Sequence, residues 1–335
     1  MTPPRRHAFA YWCRRQMHRD GESFWLVAAV LLGWAALLAA LGGLAAHLLD
    51  TSWQPLVVLA ALAYQLMWAA PAALLLLAVA RRWRAGAAAL LALALGAAVQ
   101  APLYLGRAAP NGAPLTVLQA NLRIGSADSA ALVRLVERRH VDVLATEELT
   151  PQERDRLLAA GLTRLLPYRF DAARPGDASG LAIWSSYPLS KKVSHDGFQN
   201  GVLSAQVSVH GRSISLFAVH LQPPYPFPPG EWITELDRLS GLLAAAKRDT
   251  GSVVVAGDFN ATTDHAQFRS LLRDGYGDAA REVGAGYLPT YPADRWFPPV
   301  LAIDHVLTSG LAPTDVSTVA LTGSDHRGLL VRLSV

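Results

Sequence analysis

Cysteine is all but missing from this chain. Its one thiol, Cys13, can neither close an intrachain disulfide nor complete a Cys-based zinc site. Lysine is nearly as scarce, with three residues, Lys191, Lys192 and Lys247. Internal repeats and low-complexity tracts are absent. Charge is absent from three long stretches, since Phe24–Leu49, Leu56–Ala80 and Ala87–Leu105 contain no Lys, Arg, Asp or Glu. The C-terminal two thirds lacks a basic excess. Nine Arg face three Asp and Glu before Ala113, whereas 21 Lys and Arg face 23 Asp and Glu from Ala113 onward. The formal charge of +4 therefore belongs to the N-terminal region. A nucleic-acid face should show as a basic surplus in its own domain, and none is there.

The uncharged stretches approach or exceed the roughly 20 residues that cross a bilayer. Two short links join them, which predicts three transmembrane helices over residues 24–105. Gln65, Pro71, Gln100 and Pro102 fall inside the second and third, where neighbouring helices can satisfy the freed polar groups. Arg5, Arg6, Arg14, Arg15 and Arg19 precede the first stretch, and Arg81, Arg82 and Arg84 sit between the second and third. The link Asp50–Pro55 has no basic residue. The positive-inside tendency then makes residues 1–23 a basic cytoplasmic N-terminus and puts everything after Leu105 outside the cytoplasm, in a multi-pass protein of the plasma (inner) membrane. Residues 106–114 read as a linker and 115–335 as one large α/β domain.

Within that domain strand-like runs occur at Leu115–Gln119, Val141–Thr146, Gly180–Trp184, Val202–Val209, Ser213–Val219, Ser252–Ala256, Ile303–Thr308 and Gly328–Leu333. Helical patterns fall at Ser129–Arg139, Pro151–Ala160, Glu231–Arg248 and Thr263–Leu272, the first with an N-cap at Ser126 or Asp128. Val202–Val209 and Ser213–Val219, joined through His210-Gly211-Arg212, read as a hairpin. Parallel and hairpin-linked strands together favour two packed sheets with helices outside.

Polar residues cluster where these strands end. Gly257-Asp258-Phe259-Asn260 closes Ser252–Ala256, and an acid and an amide two positions apart share one side of an extending strand. Further clusters are Gln119-Ala120-Asn121, Glu147-Glu148, Val219-His220-Leu221, and the late pair Ile303-Asp304-His305 and Ser324-Asp325-His326. One such cluster is common turn chemistry. Their recurrence in order points to a site. Adjacent Glu147 and Glu148 should point oppositely, so only one serves it. Arg123 shares the face of Asn121 if that strand continues, and can then hold a non-scissile phosphate.

Taken in order, Asn121, Glu148, the run Gly180 to Pro188 (GLAIWSSYP), His220, Gly257-Asp258-Phe259-Asn260, Asp304 and Ser324-Asp325-His326 resemble the endonuclease/exonuclease/phosphatase superfamily. That superfamily shares its fold with pancreatic deoxyribonuclease, and the chain closely resembles its bacterial members with N-terminal membrane spans. The resemblance implies a four-layered α/β/β/α sandwich, here preceded by a three-helix transmembrane region, and divalent-metal-dependent phosphoester hydrolysis. It makes Glu148 a ligand of Mg²⁺ or Mn²⁺, with Asn121 and Asp325 in the same metal site, a hard donor set of the kind such cations take. Asp258 would orient or deprotonate the attacking water, and Asn121 and Asn260 would bind the phosphate. Asp304 would orient His326, and His220 would donate to the phosphate or the leaving group. The superfamily usually has Gln where this chain has Glu147, which adds negative charge near the metal or faces solvent.

The expected function is a membrane-anchored phosphoesterase acting outside the cytoplasm, on a lipid head group, a nucleic acid or a small phosphorylated molecule. The alternatives are a nuclease for extracytoplasmic DNA or RNA and a catalytically inactive tethered binding module. Tyr225, Phe227, Trp232 and Trp296-Phe297-Pro298-Pro299 would form an apolar rim or pack as lids. His305 should point away from Asp304, and His195, His210 and His265 are expected to be exposed. The bilayer is the partner of residues 24–105, and no protein partner is indicated.

Overall fold

A computed structural model describes residues 6–108, 110, 112–273 and 275–335, with side chains from Phe24 onward. The chain divides into two units, Met1–Leu48 with Leu62–Val99, and Leu49–Ala61 with Gln100–Val335.

Helices α1 (Arg6–Leu48), α3 (Ala63–Met67), α4 (Ala70–Val79) and α5 (Trp83–Gln100) build the first unit, while α2 (Gln54–Ala61) belongs to the second. Small residues line the helix contacts, with Ala40, Ala63, Ala70, Ala73 and Ala89 buried beside Leu37 and Leu77. A Cβ on Gly43 would lie 2.9 Å from Ala63 O, so glycine is what lets the two backbones approach. Among the described residues Phe24–Leu48 and Trp83–Leu103 are long and apolar enough to cross a membrane. The expected middle span is instead a pair, Gln54–Ala61 and Ala63–Val79, bent by 72°.

The bend has a tertiary cause. His265 Nε2 donates to Val57 O at 3.0 Å and Thr262 Oγ1 to Ala60 O at 3.4 Å, so the second unit claims carbonyls of α2. Val57 is 2% exposed in a core with Trp232 and Leu236. The apolar stretch Leu56–Ala80 thus hides two environments that hydropathy does not separate. Val57→Asp should destabilise the second unit by about 3 kcal/mol or more, because it buries an unpaired carboxyl. Thermal unfolding of the full chain in detergent measures this, and an unchanged melting temperature would mean that α2 is no part of that core.

The second unit holds two six-stranded sheets. In chain order its elements are β1 (Pro114–Asn121), α6 (Ser129–Arg139), β2 (Val143–Glu147), α7 (Pro151–Ala159), α8 (Leu162–Leu165), β3 (Tyr168–Ala172), β4 (Leu181–Ser185), β5 (Ser190–His195), β6 (Val202–Val209), β7 (Arg212–His220), α9 (Pro229–Thr250), β8 (Val253–Asp258), α10 (Ala266–Leu271), β9 (Gly277–Asp278), α11 (Ala279–Val283), β10 (Asp304–Ser309), β11 (Ala312–Ala320) and β12 (Arg327–Ser334). The first sheet runs β11-β12-β1-β2-β4-β3 and the second β5-β6-β7-β8-β10-β9. Asp128, not Ser126, caps α6, accepting from Ala131 N–H at 2.9 Å. The β6–β7 turn has positive φ at both His210 and Gly211, as a two-residue hairpin requires.

Period-two alternation sorts the core. Leu115, Val117, Val143, Ala145, Leu216, Ala218, Val254 and Ala256 face one another between the sheets. The intervening Leu118, Leu144 and Trp184 pack under α6 and α7, and Phe217, Val253 and Val255 pack under α9. Two sheets with helices outside give the four-layered α/β/β/α sandwich. Gly257 fits because a Cβ there would lie 1.9 Å from Val219 O on the neighbouring parallel strand.

Candidate active site

The inward face of each central strand is apolar through the sandwich and turns polar at one end. The inward sets read Leu115-Val117-Gln119-Asn121, Val143-Ala145-Glu147, Ile214-Leu216-Ala218-His220 and Val254-Ala256-Asp258, with Asp304 opening β10. Register makes these ends level, since Asn121 pairs with Glu147, His220 with Asp258, and Asp304 with Asp258. Alternation and register therefore bring together residues that lie far apart in the chain. A cleft of about 540 Å³ opens there, lined by Glu148, His220, Asp258, Asn260, Asp325 and His326 among others.

Asn121 holds two carboxylates. Its Nδ2 donates to Glu148 Oε1 at 3.1 Å and to Asp258 Oδ2 at 3.3 Å, while its Oδ1 accepts from Arg123 N–H at 3.0 Å. The backbone donor fixes the amide orientation and turns the NH₂ toward the carboxylates. The NH₂ thus faces the carboxylates, and Asn121 is placed to hold Glu148 and Asp258. Glu148 lies just past β2 at φ +56°, and its Oε2 accepts from Ile124 N–H at 2.8 Å. Burial raises its pKa above the usual carboxylate range.

The strands do not continue as the sequence reading assumed. Asn260 has φ +49°, and it reaches the cleft through a turn in which its N–H donates to Asp258 Oδ1 at 2.9 Å. Its Nδ2 donates to Leu221 O at 2.8 Å. Arg123 also has φ +49°, so it does not share the face of Asn121. Its guanidinium pairs with Asp294 at 3.0 Å and Asp325 at 3.8 Å, and it does not line the cleft. The expectation that Arg123 holds a phosphate rested on a strand that ends at Asn121.

Asp304 and His326 form a buried pair, with Nδ1 2.8 Å from Asp304 Oδ2. Asp304 Oδ1 accepts from Gln119 Nε2 at 2.7 Å. Burial disfavours the imidazolium, but Asp304 outweighs it, and His326 is pushed up to about 10. The second ring nitrogen faces Asp258 Oδ2 at 3.8 Å. His220 Nε2 flanks the same oxygen at 3.7 Å. Its Nδ1–H donates to Ala178 O at 3.0 Å, and Nε2 accepts from Asn200 Nδ2 at 3.3 Å, the pattern of a neutral ring. Burial lowers His220 to about 4. One imidazole thus stands charged and the other neutral. Burial, and then Asp304, raise Asp258 above the carboxylate range.

Ligand atoms of Asp258, Asp304 and His326 lie within 4.8 Å of one another, a group close enough to hold a cation. His326 Nδ1 is, however, already committed to Asp304. The oxygen donors Glu148, Asp258 and Asp325 share the cleft, and among the described residues no Lys or Arg lines it. These carboxylates outnumber the imidazolium of His326 beside them, and such an oxygen-rich set is one a hard divalent ion fits.

Several partners escaped the sequence reading. Glu147 does not face solvent. It is fully buried, accepts from Gln119 Nε2 at 2.9 Å, and is raised well above the usual range by burial and by Asp304. Gln119 was readable as the position two before Asn121 on the same strand face, whereas Asn200 carries no motif signal. His265 is buried, not exposed: Nδ1 accepts from Thr262 N–H at 2.9 Å, and burial lowers it to about 4. His305 points away from Asp304 onto Asp278, at 2.6 Å. His195 is half-buried against Ser204, and His210 is exposed. Trp232 is a core residue, while Trp296 is exposed.

Residues 118–326 match the Endonuclease/Exonuclease/phosphatase family, and the chain belongs to that family of phosphoester hydrolases. TDP2 from D. rerio, solved with a single-strand DNA product, superposes with a TM-score of 0.57 at 18% identity, over 67% of this chain and 100% of that one. A mannosyl-6-phosphatase from Bacteroides thetaiotaomicron gives 0.52 at 14% identity, over 66% and 100%. A family protein from Leptotrichia buccalis gives 0.53 at 14%, again over 66% and 100%. At these identities the likeness is one of fold. None of the curated proteins matches the chain.

Proposed function

We propose that the chain is a membrane-anchored phosphoesterase, dependent on Mg²⁺ or Mn²⁺, whose catalytic unit acts outside the cytoplasm. The observation that carries this reading is the level set of Glu148, Asp258, His220 and the Asp304–His326 pair around one cleft. Glu148 and Asp325 would hold the ion, with Asn121 fixing Glu148 and Asp258 in place. Once bound, the ion supplies charge to offset the phosphate oxygens. Asp258 takes the proton of the attacking water, Asn260 and the charged Nε2–H of His326 hold phosphate oxygens, and Asp304 keeps that imidazole oriented and protonated. Neutral His220 accepts a proton or donates one only after the phosphate has raised its basicity. Turnover by the purified full-length protein across plasmid DNA, RNA, phospholipids and phosphomonoesters, with and without chelator, tests this. Full activity after chelation and dialysis would defeat it.

The location outside the cytoplasm rests on α1 alone. The segment Leu49–Ala61 follows α1 directly and packs within the catalytic unit, so both lie on one side of the membrane, and Ala63–Val79 and α5 then cross as a pair, in and back. Arg5 to Arg19 keep the N-terminus cytoplasmic by the positive-inside tendency, and Arg81, Arg82 and Arg84 do the same for the later link. Alkaline phosphatase fused after Val335 should be active in the periplasm, and a fusion truncated after Arg84 inactive. The reverse pattern would place the enzyme in the cytoplasm.

A further inference from the structure

The catalytic cleft has two unlike walls. One carries the polar set. The other is apolar and includes Val58 and Ala61 from α2, Pro224, Tyr225 and Phe227 from the loop after His220, and Leu301. Tyr225 and Phe227 are 66% and 50% exposed, far more than aromatic rings packed as a lid would be. Their loop is tied to α2, since Gln54 Nε2 donates to Pro224 O at 3.1 Å and Phe227 O at 2.7 Å. The turn carrying Asn260 is tied to it as well, through Thr262 and His265. The apolar wall is thus built into the site.

Resting on the phosphoesterase reading above, we propose that the substrate is an amphiphile, a phosphoester bearing a long apolar chain, with the chain lying along α2 and the Tyr225–Phe227 loop. Three observations converge. The polar and apolar walls meet in one cleft, as a head group joined to a chain requires. Ala61, at the end of α2, stands two residues before Ala63, where the next apolar helix begins, so the apolar wall is continuous in the chain with a membrane-like apolar segment. Among the described residues no Lys or Arg lines the cleft, and Arg123 beside it is paired with Asp294. A nucleic-acid strand, by contrast, needs several cationic phosphate contacts.

A soluble series of p-nitrophenyl alkyl phosphate diesters, from methyl to octyl, tests this on the full-length protein in nanodiscs. Values of kcat/KM should rise about three- to fourfold per methylene until the wall is covered. In Val58→Asp the octyl-to-methyl ratio should fall by at least about tenfold. A flat series in wild type, with the methyl ester hydrolysed, would overturn the amphiphile and leave the phosphoesterase standing. Oligonucleotide hydrolysis faster than that of the octyl ester would overturn it in favour of nucleic acid. No metal-dependent turnover of any ester would instead remove the phosphoesterase reading itself. Calorimetric binding of octylphosphonate against methylphosphonate, referenced to empty nanodiscs, reads the wall without turnover. Tighter octyl binding that Val58→Asp reduces is expected, and equal binding of the two overturns the proposal.

Discussion

Alanine at Asp304 or at His326 is expected to lower turnover by about two to four orders of magnitude, with the double variant little worse than either single one. The 2.8 Å bond between them is the reason. Without Asp304 the ring loses the carboxylate that holds its tautomer and its charge. Without His326 the Asp304 carboxylate has nothing left to orient. Losses that multiply in the double variant, with the fold intact, would mean independent roles. The pH profile gives a second reading. His326 is raised from an ordinary 6.5 to about 10, so activity that needs the imidazolium persists through neutral pH and fades only as pH rises through about 10. In Asp304→Asn, burial is left as the main influence and disfavours the charge. The alkaline limb should then move down from about 10. An unmoved limb would show that His326 does not set it.

Glu148→Gln should weaken metal activation by at least about a hundredfold. Outer-shell partners of a bound ion are worth about 10–100-fold in affinity, and an anionic ligand should be worth no less. The substitution removes the charge and, because both Glu148 oxygens accept hydrogen bonds, the acceptor that faces Asn121 Nδ2 as well. The amide keeps an oxygen for Ile124 N–H, whereas the carboxylate is already costly to bury, as its raised pKa records. Titration of activity with Mn²⁺, beside calorimetric binding of Mn²⁺, separates lost affinity from lost folding. Wild-type metal dependence in Glu148→Gln would remove Glu148 from the metal site.

The residues that gather in the cleft were readable because they end the most apolar strands. Asp258 follows a run of Val and Ala, and His220 closes a hairpin strand of unmistakable pattern. The strands β3, β5, β9 and β11, which the sequence reading missed, are the edge strands of the two sheets. An edge strand has a neighbour on one side only and tolerates charge, as Lys191 and Lys192 on β5 show, so its apolar signal fades. Arg123 and Asn260 were misplaced for a related reason. Their left-handed backbone ends the alternation on which the expected side-chain directions depended.

By itself the sequence determined the layers, the family and the order of the polar clusters, because period-two and period-3.6 apolar patterns follow from local geometry. Tertiary structure alone decided three further things. It turned the amide of Asn121 toward the carboxylates through the Arg123 backbone, and it left His326 charged beside Asp304 while burial against a backbone carbonyl left His220 neutral. It also took α2 out of an apparent membrane span and made it a wall of the cleft. Hydropathy counts apolar residues and cannot tell a bilayer from a protein core. His265 and Trp232 supply that difference, from more than 170 positions further along the chain.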